Sequence, residues 1–169
     1  MKKLFTVLLA ASALLMLSCT KGDGDADYGN TFIYIPQAMA DGGLTSDYPV
    51  PSGGGQDTYN FRADEEGIHI MLGILRSGKE AGKAFSVSVK ATSSDFPSYT
   101  LPDRVFVDEG HTSATFYLDL PRSVLEDFAS QTPSVTVAIS DPTNYALSER
   151  ASSVRVVVDI DALSALING

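Results

Sequence analysis

From residue 31 onward, apolar and polar residues alternate along the chain with a period of two. The alternation is clearest in residues 85–91, 114–120, 135–139 and 154–160, and shorter segments of the same kind occur at 32–35, 58–62 and 105–107. Successive side chains of a β-strand point to opposite faces, so each segment is predicted to be a strand with one core face and one mostly solvated face.

Residues 68–74 predict a strand of a different kind. One face of this segment is a row of large aliphatic residues, namely Ile68, Ile70, Leu72 and Ile74. The opposite face carries His69, Met71 and Gly73, and it is less polar than the outer faces of the other segments. Low polarity on both faces is typical of a strand at the centre of a sheet or in a partly covered position.

Turns that contain glycine or proline separate these segments, at 41–43, 52–55, 108–110 and 140–142. Glycine accepts a positive φ and proline removes a backbone donor, so these sites are predicted to be turns. Seven or eight short strands joined in this way predict an all-β, antiparallel two-sheet sandwich. One short helix is expected after Pro121, where Ser123 and Glu126 have capping-box spacing, and a helical turn after Asp161 would cover an open end of the sandwich.

The amino terminus has the features of a secretory signal. Lys2 and Lys3 precede an apolar run over residues 4–17, which is short for a membrane-spanning helix and ends before Cys19. The sequence around Cys19, the one cysteine of the chain, resembles the lipobox of bacterial lipoproteins, where the signal peptide is cut before the cysteine and lipid is attached to it. The resemblance implies a signal peptide over residues 1–18 and lipidation of Cys19. An ordinary signal peptide with an incidental cysteine, or an uncleaved anchor, is the alternative.

Residues 19–30 are small and acidic, and we expect them to tether the lipid to a single domain over residues 31–169. Residues 1–18 contain two of the twelve basic residues and none of the twenty-one acidic ones, so residues 19–169 carry a formal charge of −11. This charge argues against a nucleic-acid partner, whose phosphates would be repelled. It also disfavours adsorption to anionic lipid, so membrane contact is expected through lipid on Cys19.

Three stretches, in this order along the chain, resemble one family. The sequence FIYIPQA at 32–38, followed by YPV at 48–50, resembles the start of an immunoglobulin-like domain of unknown function at the amino terminus of Bacteroides-type outer-membrane lipoproteins. Residues 99–116 look like the strand–turn–strand segment of that family, and PTNYAL at 142–147 is similar to the stretch before its last strand. The resemblance implies an immunoglobulin-like sandwich that is lipid-anchored in the outer membrane and exposed at the cell surface. It also implies a polysaccharide-utilisation system, with polysaccharide or outer-membrane transporter components as partners.

The sequence contains no decisive catalytic motif. His69 lies within a predicted strand and His111 in a predicted turn, so a structural or solvated histidine is favoured over a catalytic one at both positions. A Gly-x-Ser-x-Gly motif is missing, and the one cysteine is expected to be acylated. No acidic residue lies in an apolar setting that would raise its pKa, as a glycosidase acid needs, and residues 64–66 predict a solvated acidic turn. We therefore expect no enzyme activity, no cofactor and no metal site.

Tyrosines are the candidates for ligand contact, because the chain has no tryptophan. Tyr48, Tyr99 and Tyr145 fall in predicted loops, and Tyr117 lies on the outer face of a predicted strand. Exposed aromatic rings commonly stack on sugar faces. However, tyrosines near strand ends also close cores by burying the ring and bonding the hydroxyl locally, and this structural role is favoured for any one of the four. Tyr48, which is followed by Pro49, is the preferred contact residue.

The sequence thus favours a surface-tethered, non-catalytic binding or accessory lipoprotein, with glycan as the implied ligand. The alternative is a structural, adhesin-like subunit that assembles by pairing an exposed edge strand with another chain. A small hydrolase is the third and least favoured hypothesis.

Overall fold

The structure, a computed structural model, describes residues 31–40, 43–54, 58–78 and 82–169. The expected signal peptide, Cys19 and the acidic tether therefore lie outside the described residues. The strands are β1 (Phe32–Tyr34), β2 (Met39–Ala40), β3 (Gly43–Leu44), β4 (Asp47–Val50), β5 (Phe61–Ala63), β6 (Ile68–Arg76), β7 (Phe85–Thr92), β8 (Arg104–Val107), β9 (Ser113–Leu120), β10 (Ser134–Ser140), β11 (Ala146–Leu147) and β12 (Ser153–Val158). A 3-10 turn spans Pro36–Ala38, and the helices are α1 (Val124–Asp127) and α2 (Ile160–Asn168). None of the helices in these ranges is long and apolar enough to span a membrane.

The strands form two main sheets and one small hairpin. Sheet 1 has the order β11-β1-β6-β5, with β9 paired to the other side of β6. Sheet 2 has the order β4-β12-β10-β7-β8, and β2 pairs with β3. Most pairs are antiparallel, whereas β1 with β11 and β4 with β12 run parallel. The predicted all-β, immunoglobulin-like two-sheet sandwich is confirmed.

The core contains the aliphatic row of β6. Ile68, Ile70, Leu72 and Ile74 are all 0% exposed. They belong to one cluster of buried residues that also takes in the alternate valines of sheet 2, namely Val87, Val135, Val137, Val154, Val156 and Val158. The prediction that this strand is central is confirmed, because β6 pairs with β1, β5 and β9.

The register between β6 and β9 determines what lies on the outer face of sheet 1. Ile70 pairs with Leu118, and both side chains are buried. His69 is therefore opposite Asp119, and Met71 is opposite Tyr117. Since side chains alternate between faces, the apolar rows face inward, and His69, Met71, Tyr117 and Asp119 share the outer face.

The end of the chain differs in detail from the sequence pattern. Ile160 continues the alternation of β12 and is buried as expected, but it begins α2 and does not extend the strand. Asp159 explains why the strand ends and the helix begins here, because its side chain accepts a hydrogen bond from the backbone N–H of Ala162 at 3.0 Å and caps the helix. In α1, by contrast, Ser123 makes no side-chain capping bond.

Candidate functional site

The first of two grooves lies beside the small hairpin. An open groove of about 390 Å3 is bordered by the 3-10 turn, the hairpin β2–β3 and strand β4. We call it the hairpin groove, and it is lined by Pro36, Gln37, Met39, Thr45, Asp47, Tyr48, Pro49 and Ser52. It therefore combines one aromatic ring with apolar and uncharged polar side chains and a single carboxylate.

Tyr48 is held in this groove by its hydroxyl, which donates to the backbone carbonyl of Met71 at 3.2 Å. Burial raises the pKa of Tyr48, although hydrogen bonds to the Asn60 and Gln37 side chains act in the opposite direction. The phenol is thus neutral at physiological pH. The half-buried ring closes part of the core and lines the groove at the same time.

The polar groups around Tyr48 have fixed orientations. Gln37 accepts a hydrogen bond from the backbone N–H of Gly73 at 3.1 Å through its Oε1, which leaves its amide nitrogen as the donor end. Asp47 receives two bonds from Arg155, from Nε to Oδ1 at 2.9 Å and from Nη2 to Oδ2 at 2.6 Å. This pairing lowers the pKa of Asp47, so the carboxylate is ionised and fixed in place.

Buried Asn60 fixes the loop at the end of the groove. The side-chain Nδ2 of Asn60 donates to the backbone carbonyl of Pro49 at 2.8 Å, and its side-chain Oδ1 accepts from the backbone N–H of Ser52 at 2.7 Å. Sequence reasoning missed Asn60 and Gln37 as site residues. Gln37 lies within the family-like stretch at 32–38, which was the one signal available, whereas Asn60 has no signal in the sequence.

The second groove lies at the edge of the sandwich, between β8 and β9. It is open, has a volume of about 520 Å3, and is called the edge slot here. The residues that line it are Thr100, Leu101, Pro102, Arg104, Val105, Thr115, Phe116, Tyr117 and Asp119. Tyr117 is the predicted contact residue in this slot, and the Arg62 guanidinium lies 4.7 Å from the centre of its ring.

A histidine held between two carboxylates lies next to the edge slot. His69 Nδ1 is 2.7 Å from Asp119 Oδ1, and His69 Nε2 is 3.1 Å from Asp64 Oδ1. Asp64 belongs to the turn between β5 and β6, where the same Oδ1 accepts from the backbone N–H groups of Glu66 and Gly67. The expected acidic turn at residues 64–66 is thus present, and it also binds the histidine.

This arrangement decides what His69 can do chemically. The hydrogen bonds to Asp119 and then to Asp64 raise the pKa of His69, against the effect of burial. Both ring nitrogens are engaged, so neither is available to accept a proton from a nucleophile. The hydrogen bond to His69 also lowers the pKa of Asp64, which is the opposite of what a glycosidase acid requires.

The four predicted tyrosines are not brought together. Tyr48 and Tyr117 line different grooves, and Tyr99 and Tyr145 line neither. The Tyr99 hydroxyl donates to the Ala91 carbonyl at 3.1 Å, and the Tyr145 ring packs edge-on against Phe85. Tyr99 and Tyr145 therefore have the structural role of tyrosines that close a core.

The titration of His69 predicts a pH dependence of stability. A raised pKa in the folded state means that the stabilisation is complete below the unfolded value of about 6.5 and is lost as pH rises through the folded value. The lowered pKa of Asp64 gives stability that is present above about 3.9 and is lost as pH falls through its folded value. We therefore expect the free energy of unfolding to decrease as pH rises above about 6.5.

His69→Gln should lower the free energy of unfolding at about pH 6 by about 1 kcal/mol and should flatten this decrease. The measurement is urea denaturation across the pH range. His111→Gln is the matched control, because His111 is the other histidine of the chain and is exposed in a turn. If His69→Gln keeps the pH dependence of the wild type, the pH dependence of stability does not come from His69.

No family model matches the chain, and no curated protein matches it. Among solved structures, the chain is similar to the crystal structure of the apo form of the Calx CBD1 domain, with a TM-score of 0.47 and 8% sequence identity. The likeness covers 78% of this chain and 99% of that one.

Proposed function

We propose that the chain is a surface-tethered, non-catalytic binding lipoprotein whose hairpin groove takes a short stretch of a carbohydrate chain. The observation that carries the proposal is the composition of this groove, which places the Tyr48 ring among polar side chains of fixed orientation. Its volume of about 390 Å3 lies within the range of small-ligand sites.

Sugars present two kinds of surface, and the hairpin groove has a counterpart for each. The apolar C–H face of a sugar ring can pack on an aromatic ring and on neighbouring apolar side chains, here Tyr48 and Met39. Sugar hydroxyls both donate and accept, and they meet the amide of Gln37, the carboxylate of Asp47 and the hydroxyl of Ser52. Because Gln37 and Asp47 are already held by the fold, little ordering of these two side chains is needed on binding.

A binding role without catalysis is supported by the state of the ionisable groups. The imidazole of His69 has both nitrogens engaged by carboxylates, and the Asp47 carboxylate is paired with Arg155. Both groups are thus already engaged by partners within the fold, and neither is free to act as a general acid or base. The site is therefore proposed to recognise its ligand without transforming it.

Lipid on Cys19 is the proposed anchor of the domain. The acidic charge of residues 19–169 disfavours binding to anionic lipid, so acylation would have to supply the attachment. Outer-membrane location, surface display and association with transporter components of a polysaccharide-utilisation system belong to the same proposal.

Calorimetry against a panel of soluble polysaccharides tests the carbohydrate ligand. One polysaccharide is expected to bind, and Tyr48→Ala should weaken binding by about tenfold, or about 1.4 kcal/mol. Tyr48 also packs on the core, so its replacement can disturb the fold as well as the groove. Met39→Ala is therefore the second variant, and it should also weaken binding, because Met39 lines the groove but is 44% exposed. Tyr59→Ala, an exposed tyrosine outside both grooves, should bind normally. If none of the polysaccharides in the panel binds, a glycan ligand is rejected.

Mass spectrometry of the mature protein tests the anchor. The amino terminus should be Cys19 carrying acyl chains, and Cys19→Ala should move the protein from the membrane fraction to the soluble fraction. A mature chain that begins elsewhere, or an unmodified Cys19, would contradict the anchor.

A further inference from the structure

Strand β9 has one free edge. Thr100 forms an isolated bridge with Asp119, with backbone bonds of 2.9 Å in both directions, which shows that the Asp119 N–H and C=O point away from β6. Backbone groups of an antiparallel strand alternate between its two edges, so those of Ser113, Thr115 and Tyr117 point the same way. In the part of the chain that the structure describes, the backbone groups of Thr115 and Tyr117 have no partner.

The bridge at Thr100 is the beginning of a strand that does not continue. Pro102 follows two residues later, and proline has no N–H to donate to a neighbouring strand. The chain then leaves β9 and enters β8 in the other sheet. The place that the next residues of such a strand would occupy is the edge slot, which has apolar walls at Leu101, Val105 and Phe116.

The length and composition of β9 make this edge unusual in the sandwich. Other strands at sheet edges are short, with four residues each in β4 and β8, three in β5 and two in β11, and β4 contains Pro49. β9 has eight residues and contains neither proline nor lysine, which are the residues that commonly protect an edge. From Ser113 to Tyr117 the free edge extends for about 14 Å.

Charge at the two ends of the slot indicates the chemistry of an occupant. Asp108 and Glu109 are exposed in the turn that leads into β9, and Asp103 is exposed at the other end. Two basic residues lie at the slot, and both are engaged. Arg104 points its three guanidinium nitrogens at Ser86, Ser88 and the carbonyl of Asp141, and the Arg62 guanidinium lies over the ring of Tyr117. An occupant with basic residues at its ends would complement this charge, whereas a second copy of this acidic chain would bring further carboxylates.

We propose that the edge slot binds an extended segment of another protein, which adds to sheet 1 as a strand antiparallel to β9. Alternate side chains of the segment fill the apolar gap between β8 and β9, and Lys or Arg residues at its ends face the carboxylates. The proposal concerns a different groove from the carbohydrate site and does not depend on it.

A synthetic peptide of alternating valine and threonine, with a lysine at each end, is the probe. In amide NMR spectra of the full domain, the peptide should shift the Thr115 and Tyr117 signals and slow their hydrogen exchange by at least about tenfold. N-methylation of the peptide residues that face β9 should weaken binding by about tenfold, and N-methylation of the alternate residues should change it less than about twofold. Replacing both lysines by glutamates should also weaken binding, and the difference should shrink at high salt.

Variants of the domain provide the matched pair. Thr115→Pro removes the free N–H without removing a bond to β6, and it should weaken binding by about tenfold. Thr115→Val keeps the N–H and should bind within about twofold of the wild type. If Thr115→Pro fails to fold, the N-methylated peptides test the same hydrogen bonds on the unaltered protein.

Several results would overturn the proposal. They are unchanged Thr115 and Tyr117 amides on peptide addition, equal effects of N-methylation at both sets of peptide residues, and stronger binding of the glutamate peptide. Concentration-dependent dimerisation that protects the same amides would assign the edge to a second copy, and shifts caused by a polysaccharide alone would assign it to the carbohydrate ligand.

Discussion

Burial of the aliphatic row on β6 is the interaction on which the rest of this structure depends. Its four side chains, Ile68, Ile70, Leu72 and Ile74, are fully buried in a core shared by both sheets. Each such side chain contributes about 1.5–3 kcal/mol when it is removed from water. A chain with one cysteine cannot form an internal disulfide, so packing of this kind holds the two layers together.

The same burial fixes the outer surface. A slip of one residue between β6 and β9 would turn the apolar rows outward, so the core enforces the register that places His69 opposite Asp119. It also fixes the direction in which the free backbone groups of β9 point, and therefore the position of the edge slot. Both grooves are open and lie at the periphery of the sandwich.

The strands could be predicted from the sequence because their signal is local. The alternation in residues 68–74 and 114–120 identifies the inner rows without any knowledge of the partner strand. The sites could not be predicted in this way. Asp119 is 50 residues from His69, and the bond from Gly73 to Gln37 spans 36 residues. Tyr48 was predicted to lie in a loop, but it lies on β4, where it lines the hairpin groove, and its hydroxyl bonds to Met71 on β6, 23 residues away. At Ile160, a local capping bond from Asp159 outweighed the alternation.

Native-state hydrogen exchange of the wild type and Leu72→Ala would measure directly whether the two sheets share one core. Leu72 lies on β6 and makes no strand pairing with sheet 2. We expect the slowest amides of β6 and of β10, in the opposite sheet, to lose the same free energy of exchange, about 2–5 kcal/mol, because both sheets share one core. A loss confined to sheet 1, with the β10 amides unchanged, would contradict it.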